Sequence, residues 1–430
     1  MAKLTLIVML LCSLFWGLNL SAQVSSTCPY ATHLNSLACL VPGVTSTGTS
    51  NNGLSDFNTT IAQVLGQLPL AVPVSGYVLG IDAKTGVPVN INENLGSVLT
   101  ERGNTVGKYK LFVGFTYQRF VFQSVDGTKL NNLPLVSTFT KTNGTFVNFA
   151  NDKLGANINQ YTGIVAFGLT DRIDISATIP FERVSLGGGF TIHDQAQVLQ
   201  PPPNAVLSSF TSLQPLSVAG SASGIGDVIV NLKGTVIPGE KSKLAMGLEA
   251  RFPTGDVYNL LGSGAYGVKP YVVFSHFSRR LTPHANVGYQ WNGYSVLRIN
   301  SCFFLPASTP GSCTGGTGLP TLRLPDSLDY SAGMDVGLFP KKLSAVADFV
   351  GQRFFNAPRV TQAASTAYPA PFDSSVGVRN GSYSVDNASV GLKWNPAGHL
   401  IISANALIRL DSGGLRPARV VPLAGISYRF

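Results

Sequence analysis

From residue 107 onward the chain alternates apolar and polar residues with a period of two, in one segment after another. In Leu328 to Leu338 one face reads Leu328, Tyr330, Ala332, Met334, Val336 and Leu338, and the other Asp329, Ser331, Gly333, Asp335 and Gly337. Leu244 to Phe252 sets Leu244, Met246, Leu248, Ala250 and Phe252 against Ala245, Gly247, Glu249 and Arg251. Ile173 to Glu182 and His284 to Trp291 repeat the pattern. Successive side chains of a strand point to opposite sides, so each segment is predicted to be a strand with one apolar and one polar face.

A β-sandwich alternates too, and the connections decide between the two. Twelve candidate strands begin near residues 108, 159, 173, 226, 243, 267, 282, 327, 343, 384, 399 and 418. Short turns occur at Thr170-Asp171-Arg172, Pro238 to Lys241, Arg279 to Leu281, Pro340 to Lys342 and Asn395 to Gly398. Mostly longer loops lie between them, at about 124–158, 187–224, 254–266, 295–326, 355–382 and 411–417. Short turns on one rim and long loops on the other describe an outer-membrane barrel, and an even strand number returns both ends to the periplasmic side. The expected fold is therefore all-β, a transmembrane antiparallel up-and-down barrel in a Gram-negative outer membrane, with the lipid bilayer as its surroundings. We expect a monomer.

Lipid offers backbone N–H and C=O groups no partners, which makes closure of the sheet obligatory. Closure also gives charged side chains a lumen. A basic residue facing lipid at mid-depth would cost about 2–4 kcal/mol. Asp174, Glu182, Lys233, Glu249, Arg251, His284, Asp329, Asp335, Asp348 and Lys393 are accordingly expected to line the lumen.

Composition agrees. Hydrophobic residues make up 44% and charged residues only 12%, about half the ordinary charged share, which argues against disorder. Past residue 22 no apolar run approaches the roughly 20 residues of a spanning helix. The net charge of +9 comes from scattered Lys and Arg, without a basic stripe or a nucleic-acid-recognition motif.

The first 22 residues read as an export signal: Met1-Ala2-Lys3, an apolar stretch from Leu4 to Leu18, and Leu20-Ser21-Ala22 before the cut. Four cysteines remain after it, suiting an oxidising compartment, and Cys28 with Cys39 and Cys302 with Cys313 are the preferred pairs among three connectivities. Neither pair has zinc-ligand spacing, so no metal and no cofactor is expected. Residues 23–106 form a separate N-terminal segment before the barrel of 107–430. In it, Phe57, Ile61, Val64, Leu65 and Leu68 fall at helical spacing behind Ser55, and Tyr77 to Asp82 and Val87 to Ile91 suggest a hairpin. This segment is either a periplasmic subdomain or a plug in the pore. At the other end, Gly425, Tyr428 and Phe430 form a G-x-x-aromatic-x-aromatic ending that resembles the signal read by the bacterial barrel-assembly machinery.

Catalytic constellations are missing from the sequence. None of the five histidines sits in HExxH, and no GxSxG elbow occurs. A membrane phospholipase would need a Ser–His dyad near the outer rim, whereas His276 and His284 flank the short Arg279-Arg280 turn at the opposite rim. No enzyme is expected, and His284 is read as a lumen residue.

Gly224-Ile225-Gly226-Asp227 opens one strand, Arg251-Phe252-Pro253-Thr254-Gly255-Asp256 closes another, and Leu261-Gly262-Ser263-Gly264 and Lys269-Pro270-Tyr271 follow. This arrangement, over roughly residues 160 to 430, resembles the outer-membrane family named for a "putative MetA-pathway of phenol degradation", itself distantly similar to the long-chain fatty-acid channels. The resemblance implies passage of small hydrophobic or aromatic molecules in either direction, and no catalytic residue. Pro253, Thr254, Gly255 and Asp256 suit a tight turn as well as they suit solute contact. The alternative is a surface barrel without transport, whose loops near 187–224 and 295–326 bind a partner.

Overall fold

The computed structural model describes residues 99–141, 144–200, 206–210, 216–239, 241–299, 321–364 and 374–430, together with residues 36–38, 60, 64, 79–81, 88–90, 95 and 369. Twelve strands form the barrel wall: β1 (Leu111–Val125), β2 (Gly144–Gly168), β3 (Ile173–Gln200), β4 (Val228–Pro238), β5 (Ser242–Phe252), β6 (Gly267–His276), β7 (Leu281–Asn292), β8 (Ser327–Phe339), β9 (Leu343–Ala364), β10 (Ser374–Trp394), β11 (Leu400–Arg409) and β12 (Val420–Arg429). Each pairs antiparallel with the next. The ring closes where β12 meets β1, from Leu423 opposite Gln118 to Arg429 opposite Phe112. No lipid-facing edge is left, as the bilayer demands.

The alternation sorts the two faces. Phe115, Leu248, Val287, Val390, Leu392, Trp394 and Ile426 are exposed on the outer face. Their chain neighbours Thr116, Ser389, Lys393 and Ser427 are buried on the inner face. A period of two produces this without any long apolar run, and among the described residues no helix is long and apolar enough to cross a membrane.

Four strands outrun the bilayer. β2, β3, β9 and β10 have 25, 28, 22 and 21 residues, against the roughly 9–11 that a tilted spanning strand needs. β2 and β3 stay paired from Gly168 opposite Asp174 to Thr145 opposite Val198. β9 and β10 stay paired out to Ala364 opposite Ser374. Leu133–Lys141, Val206–Phe210 and Leu216–Ile225 add to the projecting sheet. Much of what the sequence suggests as loop at 124–158, 187–224 and 355–382 is therefore strand. Beyond the lipid a ladder needs no apolar face, so polar stretches such as Asn148 to Lys153 pair without showing a regular alternation.

In the N-terminal segment, Leu79–Ile81 pairs antiparallel with Pro88–Asn90. Thr60 and Val64, the described residues of the expected helix, are helical. Residues 1–22 and the cysteines at 28, 39, 302 and 313 lie outside the described residues. At the C-terminus Tyr428 and Phe430 are exposed on the outer face with ring centroids 4.7 Å apart, and Gly425 faces inward opposite Thr116.

Candidate functional site

The lumen has two zones. The zone near the short turns is polar and charged, and Leu95 and a strap from Leu99 to Val106 are tied into it. Arg102 forms an ion pair with Asp335 of β8, both side chains fully buried, and its Nε donates to Oδ2 at 3.0 Å. His284 of β7 has Nε2 3.0 Å from Asp348 Oδ1, with the Thr100 hydroxyl against the same nitrogen. Its Nδ1 lies 3.2 Å from Thr282 O. Glu101 pairs with Lys233 of β4, and the Val106 amide donates to Asp174 of β3 at 3.0 Å. The Leu95 amide reaches Ser344 at 2.8 Å and the Gly103 amide reaches Ser275 at 3.0 Å. Six strands of the wall thus hold one strap. Buried ionic groups persist only when each has partners, and here the strap supplies them.

The other charged candidates are also on the inner face. Lys269 bridges Glu249 at 3.0 Å and Asp329 at 3.3 Å, which keeps both carboxylates half-buried and paired. Arg251 donates to Asn292 at 2.7 Å and lies 3.8 Å from Asp227. Glu182 accepts from Gln160 Nε2 at 3.0 Å, and Lys393 is buried on β10. His284 sits in the strap's anchorage, held by Thr100, Asp348 and the Thr282 carbonyl, and among the described residues no group of three or more His, Cys, Asp or Glu could hold a metal ion.

Toward the long loops the inner face of β1, β2 and β3 turns apolar, while β5, β7 and β8 keep Arg251, Asn292, Ser327 and Asp329 there. Phe120 and Phe122 of β1, Leu154 and Ile158 of β2, Val184 and Leu186 of β3 and Leu407 of β11 are buried in one cluster. From the N-terminal segment Leu37, Ala38 and Leu99 join it, and Val64 packs against it. A uniformly wet inside, which the alternation suggests, is thus only half right. Phe120 and Phe122 share their side of β1 with Thr116 and Gln118, so their position was readable from parity. What parity could not supply is which sector of the wall is lined by apolar residues.

The loop 253–266 folds into this apolar zone, carrying Leu260 and Leu261, both at most 4% exposed. Asp227 clasps it: its Oδ2 accepts the Ser263 amide at 2.8 Å and its Oδ1 the Gly255 amide at 3.3 Å. Thr254 adds bonds to Gly226 O at 2.7 Å and from the Val228 amide at 3.0 Å. Asp256 turns the loop by accepting the Tyr258 and Asn259 amides at 3.1 and 3.3 Å. Gly224 and Gly226 make the room: a Cβ on Gly224 would stand 2.9 Å from Leu261 Cδ1, and one on Gly226 would stand 3.2 Å from Leu261 O. Pro253 ends no ladder that needs its missing donor. The Gly-x-Gly-Asp and Pro-Thr-Gly-Asp segments are therefore two halves of one clasp. Asp227 was not singled out from sequence, although it sat in the motif.

Above the cluster, a polar cavity of about 580 Å³ opens among Asp126, Lys129, Asn132, Arg359 and Thr361. Asp126 closes that rim by accepting from Arg359 at 3.0 Å and from the Val360 and Gly414 amides at 2.8 and 3.0 Å.

A closed twelve-stranded cylinder, apolar outside and ion-paired within, is a transmembrane β-barrel of the outer-membrane type. Residues 138–300 match the model of the family described as "Putative MetA-pathway of phenol degradation", the family that the clasp residues resemble. That match begins before and ends well short of the span, roughly 160 to 430, whose motifs resemble the family. No curated protein matches the chain. Among solved structures, an outer-membrane channel from Pseudomonas putida F1 is similar at a TM-score of 0.43 and 11% identity, covering 77% of this chain and 99% of its own. The translocator domain of an autotransporter from Neisseria meningitidis gives 0.32 and 9%, covering 75% and 89%. A toluene transporter from Ralstonia pickettii gives 0.30 and 12%, also covering 75% and 89%.

Proposed function

We propose that the barrel is an outer-membrane channel for small hydrophobic molecules, aromatic ones among them. The observation that carries this reading is the apolar inner wall formed by Phe120, Phe122, Ile158, Val184, Leu260 and Leu261. A general water-filled pore has no use for such a lining, because leaving it exposed to water would be unfavourable. The family match over 138–300 supports the same substrate class. The N-terminal segment acts as a plug: its strap fills the charged zone, so ions and bulk water do not pass freely. The final Gly425, Tyr428 and Phe430 serve as the recognition signal for the assembly machinery, which fits the outward exposure of both rings.

Uptake of a radiolabelled apolar aromatic by cells with and without the protein tests the function. Faster uptake with the inserted barrel is expected, and equal uptake for every apolar solute overturns it. The projecting β2–β3 and β9–β10 hairpins favour a second reading, a surface protein that binds a partner. That reading gains if trimming the hairpins abolishes a cell-surface interaction while uptake never depended on the protein.

A further inference from the structure

We propose that the inner face of β1, β2 and β3 carries a binding site for the hydroxyl group of a small apolar molecule, a phenol or an alcohol; this rests on the channel reading above and narrows its substrate class. Directly below the apolar wall lie two successive rungs of polar side chains. Thr116 stands opposite Thr162, and Gln160 opposite Glu182. Each of these four is at most 2% exposed. Gln160 Nε2 donates to Glu182 Oε1 at 3.0 Å, which fixes both side chains. Their remaining atoms, Thr116 Oγ1, Thr162 Oγ1, Gln160 Oε1 and Glu182 Oε2, have no hydrogen-bond partner among the described residues.

Unpaired polar atoms so deeply buried are rare, and four on two neighbouring rungs mark a place built for a partner. Their chemistry defines it. Gln160 Oε1 calls for a donor, the two threonine hydroxyls can donate to an oxygen, and the Glu182 carboxyl accepts when ionised and donates when protonated. A hydroxyl group offers one donor and two acceptor lone pairs, so it satisfies every one of them. A carboxylate offers acceptors only and would leave Gln160 Oε1 without a donor. The body of the ligand has its place one step up the strands, where Ile158 stands opposite Phe120 and Val184. Leu261 borders the site from the inserted loop, since a Cβ on Gly226 would stand within 3.2 Å of both Glu182 Cδ and Leu261 O.

The test is fluorine NMR of the intact barrel in detergent, with protein-free micelles subtracted, using 4-fluorophenol, 4-fluorotoluene and 4-fluorobenzoate. The hydroxyl compound is expected to bind about tenfold more tightly than 4-fluorotoluene, the worth of roughly one net hydrogen bond, and 4-fluorobenzoate more weakly than both. Glu182→Leu and Thr162→Val should each bring the ratio of 4-fluorophenol to 4-fluorotoluene affinity down toward one. Thr162→Val keeps the side-chain shape, so it carries the test if Glu182→Leu does not fold, as judged by heat-modifiable gel migration. Equal binding of the phenol and toluene rings, a preference that survives both variants, or a carboxylate that binds as well as the phenol overturns the hydroxyl site. In those cases binding of 4-fluorotoluene still supports the apolar channel, whereas binding of neither ring refutes the channel reading itself.

Discussion

Asp227 holds Ser263 across thirty-six residues of chain, with its Oδ2 accepting the Ser263 amide at 2.8 Å. The contact joins the start of β4 to the far end of the loop that follows β5, and through it the barrel decides where Leu260 and Leu261 lie. A carboxylate that takes up backbone donors in this way fixes a loop with little other regular structure.

Asp227→Ala leaves the Gly255 and Ser263 amides without their acceptor. Each buried unpaired group costs about 1–3 kcal/mol, so the loop should detach while the barrel persists. Chymotrypsin added to intact cells should then cut at Tyr258 in the variant and spare the parent. Equal resistance in both would show that the clasp is not what holds the loop.

Arg102→Ala takes from Asp335 its buried guanidinium partner and leaves it only His284 Nδ1 at 3.4 Å. Removing one member of such a pair costs about 3–5 kcal/mol, and the strap is the less constrained element, so it should leave the wall. Planar-bilayer recordings are expected to show larger ion conductance than the parent channel. Arg102→Ala with Asp335→Ala should be more stable to heat than Arg102→Ala alone, because the stranded charge is gone. Unchanged conductance in Arg102→Ala would remove the strap from any occluding role.

Leu260→Ala together with Leu261→Ala trims the inserted loop at its apolar tip. Affinity for 4-fluorotoluene is expected to fall on the order of tenfold, equivalent to about 1.4 kcal/mol of lost apolar contact. The same titration on the parent provides the comparison, and an unchanged affinity would place the apolar solute elsewhere in the lumen.

Leu248 and Glu249 are adjacent but face opposite media. Leu248→Arg puts a charge into lipid and should destabilise the folded barrel by about 2–4 kcal/mol if it lies at mid-depth. Glu249→Gln leaves Lys269 its second partner, Asp329 at 3.3 Å, and should cost far less. Urea unfolding in lipid vesicles ranks the two, and the reverse ranking would mean the faces are assigned the wrong way round.

How much was legible varies by element. The starts of β3 to β9 fall within two residues of the expected positions, because a strand with lipid on one side and polar groups on the other writes its period into the sequence. β2 and β10 begin far earlier than expected, at Gly144 and Ser374, since their outer parts pair in water and carry no such signature. The charged residues expected in the lumen follow from the same parity that sorts the faces. Glu101 and Arg102, which pair with Lys233 and Asp335, do not, because a strap without periodic structure announces nothing about what it touches.

The amino-acid order alone determined that the chain makes amphipathic strands, how many, and hence a sheet that lipid forces to close. These are consequences of neighbours one and two positions apart. Tertiary structure decided the contents of the barrel: Arg102 finds Asp335 across 233 residues, and two glycines on the wall admit a leucine from a distant loop. Such pairings depend on which strands the ring brings face to face and on the level at which each side chain stands, and neither quantity exists until the cylinder has closed.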